Sequence, residues 1–418
     1  MSKKEFQFNY GKDTISFSLN AKNFMMEMKA NEISSRLQGL DEVRHALENP
    51  IGTPKLSEIV SKGESICIIT SDITRPCPSH ILLPPIILEL MEAGVSPDDI
   101  TVVFGLGSHR RHTSDEKRQL VGDMVYELVH TVDSDSEDTV FLGNTSRGTP
   151  VNITSVVAQA DRRICLGNIE MHYFAGYSGG GKAIMPGVSD RAAIQANHSK
   201  MIEETSKAGE IEGNNVRLDI DEAADICGID FILNVVLDEE KTIVKAVAGD
   251  HRKAHRVGCD FLDSMYKIKI SKLADIVIAT PGGFPKDINI YQAQKSLDNA
   301  QHAVKNGGII ILVADCSEGF GEHVFEEWLT DAPTSGHLIE RIKTQFRLGG
   351  HKAAAIALVL SKCDVYFVSN LPAETASKTF MKPFDNLQTA VDEAIRIMGK
   401  DAKIIVMPHA GSTLPYME

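Results

Sequence analysis

At 418 residues, 43% hydrophobic and 24% charged, the chain is long enough for two or three domains with sizeable apolar cores, and disordered and fibrous classes are excluded. Its 57 acidic against 43 basic residues give a net charge of −14, which disfavours nucleic acid and anionic lipid and leaves small molecules or protein as partners. Any anionic ligand must then be met by cations gathered locally. The seven cysteines are scattered with no C-x-x-C pair, so neither a disulfide framework nor a zinc knuckle is expected. Met1-Ser2-Lys3-Lys4-Glu5-Phe6 does not read as an apolar leader, and no apolar run approaches the roughly 20 residues of a membrane span, which predicts a cytoplasmic protein with no membrane partner.

Phe6, Phe8 and Tyr10, then Ile15, Phe17 and Leu19, alternate on either side of Gly11-Lys12-Asp13 and predict a β-hairpin. From residue 64 the pattern becomes βαβ, with a strand at 65–70, a helix at 79–93 and a strand at 100–104. Further strands are expected at 138–142, 162–168 and 230–236, with a hairpin turn at 144–148 and a charged helix at 250–267. Strands recur at 275–280, 308–314, 363–368 and 403–407 with helices between them. The fold class is therefore α/β in two domains: a mixed α/β N-terminal domain over 1–268 and a doubly wound parallel-sheet domain over 269–418, whose final residues are expected to pack back on the first. Ligands of open α/β sheets meet the carboxyl ends of the strands, so an active site is expected in the cleft between the two domains.

Four segments carry candidate chemistry. Ser71-Asp72-Ile73-Thr74-Arg75-Pro76 follows a strand and offers hydroxyls, backbone amides and a planar guanidinium to a phosphate or carboxylate; a polar turn explains it equally well. Gly105-Leu106-Gly107-Ser108-His109-Arg110 follows the next strand and places a histidine, with His112 nearby, where protons can exchange near neutral pH. In the third segment, residues 167–187, Gly176 to Lys182 fits half of a P-loop, but Ala183 has no oxygen for magnesium and Pro186 falls early in the helix that would cradle phosphates. What remains is a lysine on a flexible glycine platform with His172 before it, able to clamp a phosphate or to act as a nucleophilic amine. His198, in Asn197-His198-Ser199, completes a set of three histidines that invites a metal reading, although no H-x-H or H-x-x-x-H pair is present. In the fourth segment Tyr291, Gln292 and Lys295 fall on one helical face and can present a phenol, an amide and an ammonium to a small carboxylate.

The ordered set of Ser71 to Pro76, Gly107 to Arg110, His172-Tyr173 through Ser178-Gly179-Gly180-Gly181-Lys182, Asn197-His198 and Tyr291 to Lys295 resembles the lactate racemase family, whose members use a nickel-pincer nucleotide. The resemblance implies a Ni(II)-pyridinium bisthiocarboxylate mononucleotide with nickel held by a ring carbon and two sulfurs. Lys182 matches the lysine that tethers it covalently, His198 the protein nickel ligand, and Asp72, Ile73, Thr74 and Arg75 the phosphate-binding stretch. His109 and His172 match the paired acid/base histidines, and Gln292 and Lys295 the substrate-binding residues, with Tyr291 and Arg75 beside them.

The implied reaction is racemisation or epimerisation of a lactate-like 2-hydroxy acid by reversible hydride transfer through a 2-keto acid. That route avoids a carbanion beside a carboxylate, and it needs a base for the hydroxyl of each enantiomer, a role that suits two histidines of pKa near ~6.5. The implied partners are the small substrate and the cofactor-synthesis enzymes, for a monomer or homo-oligomer. Arg75, Lys182 and Lys295 would supply cations that the net charge conceals; no second anion site such as a dicarboxylate would require is identified, and Lys286, Arg347 and His351 are the candidates for one. The alternatives are a zinc hydrolase using His109, His172 and His198, a P-loop-like kinase, and a non-catalytic binding protein.

Overall fold

The structure, a computed structural model, describes residues 2–33, 37–75 and 77–417. The chain divides into two compact units, one formed by Ile33–Ser264 and the other by Met1–Glu32 with Met265–Glu418. It opens with the hairpin β1 (Lys3–Tyr10) and β2 (Asp13–Asn20), which pairs Phe6 with Phe17 and Phe8 with Ile15, followed by the short strand β3 (Phe24–Glu27). Sequence places this hairpin in a first domain over 1–268; in the structure it belongs with the C-terminal half. A two-stranded hairpin cannot bury its own apolar face. Phe8, Phe17 and Leu19 do so in a core shared with Ile278, Ile311 and Val406.

The unit Ile33–Ser264 contains β4 (Ile66–Ser71), β5 (Ile100–Gly105) and β6 (His130–Asp133). After them come the hairpin of β7 (Thr139–Asn144) and β8 (Pro150–Thr154), then β9 (Arg162–Asn168). The short pair of β10 (Met171–His172) and β11 (Gly176–Tyr177) precedes β12 (Phe231–Leu237) and β13 (Ile243–Gly249). Its six-stranded sheet has the order β13-β12-β9-β4-β5-β6, parallel throughout except for the antiparallel edge strand β13. Strands buried on both faces read as continuous apolar runs, and β4 is buried from Ile66 to Thr70. On one face Ile66, Ile68, Ile164 and Leu166 meet Leu82, Leu83 and Ile86 of the helix Ser79–Glu92. Because β4, β5 and β9 are parallel neighbours, the segments that follow them all leave from one end of the sheet. Three of the four candidate segments are thereby gathered by topology alone.

The second unit adds β14 (Lys267–Lys269), β15 (Ala274–Ala279), β16 (Val304–Val313) and β17 (Asp364–Val368), then β18 (Lys382–Phe384), β19 (Ile404–Met407) and β20 (Leu414–Tyr416). Its sheet runs β18-β17-β16-β15-β19-β3 with every neighbour parallel, the doubly wound pattern expected. The last strand, β20, pairs with β14 within this unit. All seven cysteines are buried and free, and among the described residues no helix is long and apolar enough to cross a membrane.

One buried carboxyl in this unit is testable. Asp298, in the helix Ile290–Ala300, accepts a hydrogen bond from Gln294 Nε2 at 2.5 Å, and burial pushes its pKa up to about 7 against the opposing pull of Gln294, Lys352 and Lys362. A folded pKa above the ordinary 3.8 means the folded state holds the proton more tightly. The associated stability is full below about pH 4 and is lost as pH rises through about 7. Asp298→Asn keeps the acceptor without the charge, so the Tm difference between wild type and variant should widen in the variant's favour from pH 5 to 8. A difference constant over that range would contradict this assignment.

Candidate active site

The glycine-rich segment is held from beneath, and is not the flexible platform expected from sequence. The Arg217 side chain, with no solvent exposure, donates from Nε to the Ala175 carbonyl at 3.2 Å and from its terminal nitrogens to the carbonyls of Tyr177 and Gly179. His255 Nε2 donates to the Ser178 carbonyl at 2.8 Å, Asn214 Nδ2 to the Phe174 carbonyl at 2.9 Å, and Asn234 Oδ1 accepts the Gly180 N–H at 2.7 Å. The glycines follow from this packing. Gly179 and Gly180 have φ of +75° and +56°, and added Cβ atoms would lie 2.7 Å from Asn234 Oδ1 and 2.9 Å from the His255 ring. Gly180–Ala183 is a single 3₁₀ turn, so Lys182 does not open a helix and the P-loop reading has no structural counterpart.

Phe174 is the residue that sequence reasoning missed. The His172 ring packs edge-on against it at 4.6 Å, the His198 ring at 4.9 Å, and Lys182 Nζ lies 5.9 Å from its centre. Three expected site residues are thus collected around one phenyl ring. Burial lowers the Lys182 pKa well below the usual lysine range, and the charges of Arg75 and Arg217 lower it further. Burial likewise holds His172 well below 6.5, reinforced by Lys182, Arg75, His198 and Arg217. These influences place Arg75 in the same electrostatic neighbourhood. His198 ends the helix Arg191–His198. Among the described residues no three His, Cys, Asp or Glu side chains converge as a metal-binding group, so His109, His172 and His198 do not form the three-histidine zinc site of the hydrolase alternative.

The loop after β4 and the loop after β5 meet through a carboxylate and a histidine. Asp72 is almost fully buried; its Oδ2 lies 2.5 Å from His109 Nδ1, and Thr74 Oγ1 donates to both of its oxygens at 2.9 and 3.1 Å. Burial would raise the Asp72 pKa, but His109, Thr74 and Arg75 together hold it below the ordinary value. A carboxylate at Nδ1 keeps the His109 proton there, which leaves the lone pair on Nε2. His172 has the opposite arrangement, since its Nδ1 accepts the Ala175 N–H at 3.3 Å, and its neutral ring therefore carries the proton on Nε2. Asp72 stands in the expected phosphate-binding stretch, yet its side chain is committed to His109 and Thr74; Pro76 of that motif lies outside the described residues. Arg110 is engaged by Glu116 at 2.6 and 2.8 Å.

In the other unit, Tyr291 and Gln292 are half-buried and Lys295 is exposed on the helix Ile290–Ala300, whose Asn289 cap accepts the Gln292 N–H at 2.9 Å. Lys352 Nζ sits 3.9 Å over the Tyr291 ring and donates to the Tyr291 carbonyl at 2.5 Å. Arg347 pairs with Glu327 at 2.7 Å, and His351 Nδ1 accepts the Gly349 N–H at 3.1 Å, so both have structural partners.

His112, offered by sequence as a second proton-exchanging histidine, is a strut. Its buried ring faces Asp133 Oδ1 at 2.7 Å through Nδ1 and accepts the Ile73 N–H at 3.1 Å through Nε2. The strut steadies the loop that carries Asp72, Thr74 and Arg75. In His112→Phe, hydrogen exchange at the Ile73 amide should accelerate by about tenfold, the equivalent of one net hydrogen bond, with the β4 amides unchanged. Unaltered protection at Ile73 would show that the strut holds nothing.

Residues 10–209 match the lactate racemase N-terminal domain and residues 269–414 the lactate racemase C-terminal domain. The chain is 34% identical over 417 residues to a lactate racemase of Thermoanaerobacterium thermosaccharolyticum, covering 97% of each. It is 35% identical over 412 residues to one of Lactiplantibacillus plantarum, covering 96% of each. The solved lactate racemase apoprotein from T. thermosaccharolyticum superposes with a TM-score of 0.89 at 32% identity, over 99% of this chain and 100% of that one. A structure from Thermotoga maritima, 16% identical over 91% of this chain and 97% of its own, shares the fold at a TM-score of 0.63. Two matched domains and full-length relatives together establish that this chain belongs to the lactate racemase family.

Proposed function

We propose that this chain is a cytoplasmic racemase or epimerase of a lactate-like 2-hydroxy acid, working with a nickel-pincer nucleotide tethered through Lys182. The observation that carries the reading is the pair of histidines with opposite proton placements, His109 with its lone pair on Nε2 and His172 with its proton there. Inversion at a carbon bearing a hydroxyl needs one group ready to accept the hydroxyl proton and another ready to donate. His172 becomes the donor when a proton from solvent enters at Nδ1 in place of the Ala175 N–H, the longer of the two contacts, so that giving up its Nε2 proton leaves a neutral ring.

The residues suit the cofactor. An amine pushed toward its neutral form is a nucleophile, and Lys182 is such an amine beside Arg75, whose cation suits a phosphate. Among the described residues the buried Asn168 amide, at the carboxyl end of β9, has no hydrogen-bond partner for Oδ1 or Nδ2, as expected of a group reserved for a ligand. When bound, the nucleotide supplies an electrophile that takes the α-hydrogen as hydride and returns it. The chain's own work is then to hold the carboxylate, for which we assign Arg75, Tyr291, Gln292 and Lys295, and to move the hydroxyl proton through His109 and His172. Asp72 keeps His109 in the accepting tautomer, Ile73 and Thr74 shape the anion loop, and His198 ligates nickel.

Expression in cells that make the cofactor should give an intact-mass increment on Lys182 with about one nickel per chain, and a chiral assay across 2-hydroxy acids should show interconversion of enantiomers. His109→Ala and His172→Ala should each abolish racemisation with nickel retained. Asp72→Asn should lower kcat by roughly 10²–10⁴-fold, the scale of a lost or mis-oriented general base. Full activity in either histidine variant, or zinc without a mass increment, would sink the proposal.

A further inference from the structure

Asp219, on the helix Asn215–Cys227, has no solvent exposure, and four donors converge on its carboxylate. Thr145 Oγ1 donates to Oδ1 at 2.5 Å, and Thr149 Oγ1 and Asn197 Nδ2 donate to Oδ2 at 2.6 and 2.8 Å. Lys200 Nζ approaches Oδ2 at 3.4 Å. The direction of each bond is fixed by its neighbours. Thr145 Oγ1 accepts the Thr149 N–H at 3.1 Å and Thr149 Oγ1 accepts from Lys200 Nζ at 2.9 Å, so both hydroxyl protons are left to point at Asp219. Thr145 lies in the 144–148 turn of the β7/β8 hairpin and Thr149 directly follows it. That turn is docked on the same helix by Ser146 N–H on Glu222 at 2.6 Å and Arg147 on Glu222 at 3.2 Å.

The chain of assignments continues through Asn197. Its Nδ2 donates to Asp219 and also to the Val216 carbonyl at 3.2 Å, which commits the amide nitrogen to that side and turns Oδ1 toward His198 Nδ1 at 3.0 Å. An amide oxygen can only accept. The His198 proton must therefore sit on Nδ1, and the lone pair of the neutral ring on Nε2.

We propose that Asp219, acting through Asn197, is a positioning residue that locks His198 in its Nδ1–H tautomer and so makes Nε2 the metal-binding nitrogen. The proposal rests on the reading of His198 as the nickel ligand. Partners that fix the far nitrogen of a ligating histidine set both ring orientation and basicity, and their loss costs roughly 10–100-fold in metal affinity.

The tautomer is read without cofactor, by long-range nitrogen–proton NMR of ¹⁵N-histidine-labelled protein, with the His198 signal identified by its absence in His198→Gln. The wild type should show a protonated Nδ1, and Asn197→Leu should shift His198 toward the Nε2–H form; an Nε2–H wild type overturns the proposal. Nickel loss from the loaded protein to a chelator is then followed by metal analysis. Asn197→Leu should lose nickel about 10–100-fold faster, and the exchanged pair Asn197→Asp with Asp219→Asn, which again puts an acceptor on Nδ1 and a donor between the two side chains, should restore retention. If Asn197→Leu retains nickel as the wild type does while His198→Ala loses it, the lock is refuted and the ligand assignment stands. If His198→Ala also retains nickel, the ligand assignment itself fails.

Discussion

A buried guanidinium organises the chemistry of the first unit. Arg217 lies beneath the glycine-rich segment and draws three carbonyls toward itself. An unpaired cation there would cost several kcal/mol; Asp221, which is also held by Arg256, lies 3.5 Å away and is equally buried. With Asn214, His255 and Asn234, Arg217 fixes the path of the backbone between His172 and Lys182. Its charge also adds to burial and to Arg75 in keeping the Lys182 amine and the His172 imidazole toward their neutral forms. Structural support and chemical tuning come from the same atom group, so neither can be altered alone.

Four histidines of this unit are distinguished by what faces their Nδ1 atoms. His109 meets a carboxylate, His172 a backbone N–H, His198 an amide oxygen and His112 a second carboxylate. Those four neighbours set where the ring proton sits in each, which is what the proposed roles of base, donor and ligand draw on. His255, beside Arg217 and Arg256, is lowered to about 3 mainly by burial; it holds the Ser178 carbonyl through Nε2 and faces Arg256 through Nδ1 at 3.0 Å. Function is written here in second neighbours more than in the residues themselves.

That is also why the sequence was legible in part. The parallel strands could be read because strands buried on both faces are apolar throughout, and the loops following β4, β5 and β9 announced themselves by glycine, histidine and cationic residues after those strands. The edge strands β3, β6 and β18, of three or four residues each, were too short to carry a comparable signal. Lys182, His172 and His198 were visible as residue types, whereas Phe174, the ring that gathers them, looked like an ordinary core aromatic. The three glycines of 179–181 suggested ligand approach, and packing against Asn234, His255 and Ala224 accounts for them. Asp72 looked like part of an anion loop because its partner, His109, is far away in sequence. Pairings of that kind are set by strand order, which no local pattern encodes.

The pairing of β3 with β19 joins residues 24–27 to residues 404–407. The sheet of the second unit therefore cannot acquire its last edge until residue 407 has been synthesised. The unit Ile33–Ser264 has every strand of its own sheet long before then. During translation the middle of the chain can mature first, with the N-terminal hairpin waiting, its aromatic face uncovered, for a partner that emerges last. A protein built this way behaves as one domain inserted into another. Its point of greatest exposure to aggregation or proteolysis during synthesis is its first thirty-odd residues, far in sequence from the chemistry that defines its family.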